Sequence, residues 1–99
     1  GKENNVLVIP VGLAFDIAYR EIPGIKLHKD DGTHPNLKGT YLAACTVFAS
    51  IFKRSPVGLE YDYFGEINEE DKMMLQKIAH KVTSAFFQSS IDQKYISKN

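Results

Sequence analysis

Val6-Leu7-Val8-Ile9, closed by Pro10, is the stretch on which the fold class turns. Four consecutive apolar residues, three of them β-branched, suit a strand buried on both faces, as in a parallel sheet. Downstream, Val11 to Ile22 carries Phe15, Ala18, Tyr19 and Ile22 at helical spacing and stops at Pro23-Gly24. No second strand accompanies the first, because Ile25-Lys26-Leu27-His28 alternates over only four residues. A single buried parallel strand followed by helices predicts an α/β chain. The 99 residues then read as one partial domain, the C-terminal segment of something larger and mostly helical in this portion.

Two further helices are expected. The first spans 37–53, with Leu37, Tyr41, Ala44, Phe48 and Ile51 on one face and apolar residues on much of the rest. A helix apolar nearly all round is buried or wedged between neighbours. Asn36 suits its N-cap, Lys53-Arg54 its negative end, and Pro56 forbids continuation. The second spans 68–90, opened by Asn68 and Glu69-Glu70-Asp71, with a stripe of Leu75, Ile78, Ala79, Val82, Ala85 and Phe86. Gln93 to Asn99 is expected to be a frayed tail. The connector between the helices carries Tyr61, Tyr63 and Phe64, read as packing residues rather than a cleft lining.

Composition narrows the function classes. Twelve basic residues balance twelve acidic ones, so no electrostatic footprint for nucleic acid follows. No apolar stretch reaches the ~18 residues of a membrane span. The polar start Gly1-Lys2-Glu3-Asn4-Asn5 has no signal-peptide core, and the compartment stays open. The single cysteine, Cys45, sits in an apolar run and reads as a buried thiol.

The chemistry lies in Asp31-Gly32-Thr33-His34-Pro35-Asn36. An Asp three residues before a His, on a turn ahead of a helix, can accept a hydrogen bond from one imidazole nitrogen. The other nitrogen is then left for a nucleophile. Gly32 permits a tight turn, and Pro35 restricts His34 to extended backbone. Asp31 is favoured as the imidazole's partner, with Asp30 the alternative. The same residues allow two rival readings. His28, Asp31 and His34 form a conceivable metal site for a metal-dependent hydrolase. Alternatively, the turn is purely structural, and the chain is a non-catalytic helical interaction module. His80, mid-helix beside Lys77 and Lys81, reads as a surface residue.

The segment Asp31 to Asn36, with Gly39 and Tyr41-Leu42-Ala43-Ala44 after it, resembles the last conserved block of SGNH (GDSL-type) hydrolases. Val6 to Gly12 looks like that family's last sheet strand. The likeness covers residues 6 to 58. It implies a three-layer α/β/α, flavodoxin-like fold, with Asp31 and His34 as catalytic members of a Ser-His-Asp triad. No metal or other cofactor is implied. The partners implied are an ester substrate, such as an acetylated carbohydrate, and the N-terminal portion of the same hydrolase domain. The family's Gly-Asp-Ser nucleophile block and its oxyanion-hole Gly and Asn have no counterpart in this chain. Every serine here, from Ser50 to Ser97, follows the His. The isolated chain is therefore expected to be inactive.

Overall fold

A computed structural model describes residues 9–63 and 65–97, with side chains up to residue 88. It contains three helices: α1 (Val11–Glu21), α2 (Leu37–Phe52) and α3 (Glu69–Ser97). There is no strand among the described residues, which are all-helical, and the expected α/β class, with its three layers, is corrected. Val6, Leu7 and Val8 of the expected strand lie outside the described residues, and Ile9 has no regular structure. At Pro10 the chain passes directly into a helix. The proline ring has no N–H for a ladder, and the Val11 N–H bonds back to the Ile9 carbonyl at 2.9 Å as helix α1 begins. A short apolar run cannot be told from buried non-strand chain by periodicity alone. Here the role a sheet would have played is taken by helices packing on one another.

Each helix starts and stops for local reasons. The Asn36 side chain accepts from Gly39 N–H at 2.9 Å and caps α2. Asn68 does the same for α3, accepting from Asp71 N–H at 2.8 Å. Helix α2 ends on Lys53 in the left-handed conformation, whose N–H bonds to the Ala49 carbonyl. The Lys53 ammonium then lies over the Phe87 ring, 3.8 Å from its centroid. Helix α3 continues to Ser97 rather than ending near Ser90, so the backbone of residues 93–97 is helical and not a frayed tail.

The core joins Ala14 and Ala18 of α1, Tyr41, Leu42 and Cys45 of α2, and Leu75, Ile78, Ala79 and Val82 of α3. Leu27 and Ile67 from the connectors complete it. The buried face of α2 is rotated from the expected one. Gly39, Tyr41, Leu42, Cys45, Thr46, Ala49 and Ser50 are inside, whereas Leu37 and Ile51 are exposed. Two polar residues, Thr46 and Ser50, are fully buried where larger apolar residues were expected to be. Thr46 solves its polarity by bonding back to the Leu42 carbonyl at 2.8 Å. Burial pushes the Cys45 thiol up to about 11 and the Tyr41 phenol up to about 12, so both stay protonated.

Gln76 ties the second connector to the bundle. It is fully buried on α3. Its amide nitrogen donates to the Leu59 carbonyl and to the Tyr41 hydroxyl, both at 2.8 Å. Its carbonyl accepts from Gly58 N–H at 2.9 Å. Replacing it with leucine keeps the volume but strips three groups of their partner. The Tyr41 contact is buried and the other two are partly so; a fully buried group left unmet costs roughly 1–3 kcal/mol, partly offset by the added apolar burial. Gln76→Leu is expected to lose about 2–4 kcal/mol in urea unfolding, with the midpoint falling and the slope unchanged. A midpoint at or above wild type refutes the stapling role.

Candidate functional site

The Ile25–Asn36 segment returns on itself as a short hairpin with one isolated bridge, His28 to Pro35. Two backbone bonds close it on either side of that bridge. Lys29 N–H donates to the His34 carbonyl, and Asn36 N–H to the Leu27 carbonyl, each at 2.8 Å. A tight turn sits at the tip, where Gly32 N–H bonds to the Lys29 carbonyl at 2.8 Å. Gly32 there has φ of +72°, a conformation other residues adopt at a cost.

At this tip Asp31 and His34 meet. The Asp31 Oδ1 accepts from Thr33 N–H at 2.9 Å and from His34 N–H at 3.1 Å. The Asp31 Oδ2 is left for the imidazole, and His34 Nδ1 approaches it to 2.7 Å. A carboxylate accepts only, so Nδ1 carries the proton in this contact and Nε2 lies at the far side of the ring. The pairing is with Asp31, not Asp30. The bond from His34, and then those from the two backbone N–H groups, hold the Asp31 carboxyl below the usual carboxylate range. Asp31 is therefore both the former of an Asx turn and the partner of the imidazole, through different oxygens. The sequence presented these as competing roles.

The pair is open to solvent. The side chains of His34 and Asp31 are 72% and 49% exposed. As a surface ion pair it contributes little to stability. In the Ser-His-Asp template the Asp is buried, so a site of that kind would need a further surface laid over this one.

His28 takes a different direction. Its Nδ1 is 2.6 Å from the Tyr19 hydroxyl of α1, with the two rings within 6° of parallel. Phe15 meets its ring edge-on at 5.4 Å. No group of three His, Cys, Asp or Glu side chains is placed to hold a metal ion among the described residues. The triplet of His28, Asp31 and His34 is thus not gathered into a ligand set. His80 is exposed on α3, as expected. Tyr63 packs edge-on against Tyr41 at 5.8 Å and against Tyr61 at 4.9 Å, while Phe64 lies outside the described residues.

Two residues place the pair in ways the sequence does not disclose. Tyr19 has the spacing of the apolar stripe of α1, yet the residue is 43% exposed and its hydroxyl reaches the hairpin. Gly39, on the first turn of α2, passes so close to the Leu27 carbonyl oxygen that a Cβ there overlaps it. Neither residue has a local signal, since both act on chain at a distance. None of the described helices is long and apolar enough to cross a membrane. Comparison with family models, with curated proteins and with solved structures gave no match.

Proposed function

We propose that this chain supplies the Asp–His pair of a serine ester hydrolase, with the nucleophile and oxyanion-hole donors contributed from outside these residues. The observation that carries the reading is the 2.7 Å contact from His34 Nδ1 to Asp31 Oδ2 on an imidazole whose other edge faces outward. The resemblance of Asp31 to Asn36 to the last block of SGNH hydrolases assigns the same roles to the same residues. The helical architecture lends no support of its own, and the reading stands on the pair.

Asp31, kept ionised, fixes the tautomer and stabilises the imidazolium. His34 Nε2 takes the proton of the serine hydroxyl as its oxygen bonds to the ester carbon. The imidazolium returns that proton to the alcohol as the carbon–oxygen bond breaks. Water then enters by the same proton transfers, releasing the acid and restoring the serine. The substrate is an ester, with acetylated carbohydrate the class the resemblance suggests. The N-terminal portion of the same hydrolase domain is the partner.

A serine-directed phosphonate tests this on the complete protein. Inactivation is expected with one label, on a serine outside these 99 residues. Activity that survives the phosphonate but falls with a chelator overturns the reading in favour of a metal-dependent hydrolase. One feature favours the second reading, a helical interaction module. Ile51 and Phe52 at the end of α2 are 50% and 60% exposed, beside Lys53 and its stacked ring.

A further inference from the structure

We infer that Tyr19 is a positioning residue for His34, acting through His28 to fix the hairpin that carries the Asp31–His34 pair. The inference rests on the acid–base reading of that pair.

The Tyr19 hydroxyl accepts from Leu27 N–H at 3.0 Å. His28 Nδ1 lies 2.6 Å from the same oxygen, and we assign the phenol as donor in that contact. This selects the His28 tautomer with hydrogen on Nε2, the opposite of the tautomer Asp31 selects at His34. Phe15, one turn earlier on α1, braces the same ring at 5.4 Å. The outgoing arm of the hairpin is thus held to α1 at two consecutive residues, Leu27 and His28.

From that arm the constraint reaches His34 in a single step. His28 is bridged to Pro35, and Lys29 N–H holds the His34 carbonyl at 2.8 Å. The returning arm is fixed independently on α2. There the Asn36 side chain caps Gly39 N–H and also donates to the Lys26 carbonyl at 2.8 Å. With both arms tied, the freedom of the backbone at His34 is reduced, which is what a preorganised acid–base group requires. Removing the Tyr19 hydroxyl frees Leu27 N–H and His28 Nδ1 together. The outgoing arm then keeps only the burial of Leu27 and the ring contacts of His28, without a hydrogen bond to α1.

The test reads imidazole tautomers by two-bond proton–nitrogen correlation on the 99-residue chain in alkaline solution. In wild type, His34 is expected as the Nδ1–H form and His28 as the Nε2–H form. Tyr19→Phe should lower the Nδ1–H to Nε2–H ratio of His34 by roughly 3- to 10-fold, the weight of one net hydrogen bond. Far-UV circular dichroism should stay unchanged. His28→Asn, whose side-chain oxygen can occupy the place of Nδ1, should keep the wild-type ratio. His28→Phe should behave like Tyr19→Phe. The two His28 variants decide the matter if Tyr19→Phe does not fold. A His34 ratio untouched by Tyr19→Phe, or His28→Asn no better than His28→Phe, overturns the role of Tyr19 and leaves the acid–base reading standing. A wild-type His34 in the Nε2–H form removes the pair, and both inferences fall.

Discussion

On the proposed acid–base role, His34→Ala will lower ester hydrolysis by the complete protein by about four to six orders of magnitude in kcat, with little change in KM. The size follows from the proton inventory. Serine is a weak nucleophile until a base takes its proton as it attacks, and the departing alkoxide is a poor leaving group until an acid returns one. One imidazole does both, so its loss is felt twice in each half-reaction. Binding contacts made elsewhere by the ester are untouched, which is why KM should hold. Asp31→Asn serves as the internal control. An amide can still accept the two backbone bonds that shape the turn, but it no longer stabilises an imidazolium. Its loss should be large and smaller than that of His34→Ala. Wild-type turnover in His34→Ala removes the residue from the chemistry, and the hairpin becomes a structural turn.

Gly39→Ala should destabilise the fold, although helix propensity alone argues the reverse. Alanine in a helix is worth up to about 1 kcal/mol over glycine. Against that gain stands a steric fact. The added Cβ overlaps the Leu27 carbonyl oxygen and comes within 3.1 Å of its carbon and 3.2 Å of Pro35 Cβ. The obstacle is backbone and proline ring, and it cannot rotate aside as a flexible side chain does. The Leu27 carbonyl is also the acceptor of Asn36 N–H at 2.8 Å. Moving it breaks the bond that closes the hairpin next to the cap of α2. A forced backbone shift in a packed region costs roughly 1–3 kcal/mol or more, to which the lost bond adds. We expect a net loss of about 2–4 kcal/mol, or a fall in Tm of roughly 10–20 °C for a domain of this size. A thermal melt by circular dichroism measures it. A Tm equal to or above wild type means that α2 and the hairpin can separate without cost, and the tight crossing is then irrelevant to stability.

What the sequence disclosed follows the range of each interaction. Asn36 and Asn68 were legible as caps because a cap acts on an N–H three residues away. The Asp31–His34 spacing was legible for the same reason. The fold class was not. Val6 to Ile9 has the composition of a buried strand, but a strand is defined by its neighbours, and no neighbour can be read from the run itself. Gln76 shows the same limit from the other side. It stands between Leu75 and Lys77 with no local signal, and its partners are Tyr41, Gly58 and Leu59. The rotated face of α2 is a related case. Thr46 and Ser50 are inside, where hydrophobic ranking does not place them.

The hairpin between α1 and α2 also bears on how such a pair is acquired or lost in evolution. Its imidazole, its carboxylate, and the turn that aligns them come from one short, uninterrupted stretch, and none of the buried side chains of the three helices enters the alignment. A few point changes at its exposed tip, away from Leu27 and Asn36, can install or erase the pair while the buried contacts of the bundle are kept. Loops that carry chemistry on a stable scaffold vary in this way. Here the conditions for accepting such a loop reduce to three positions outside its tip: a hydroxyl at 19, an amide cap at 36 and the absence of a side chain at 39.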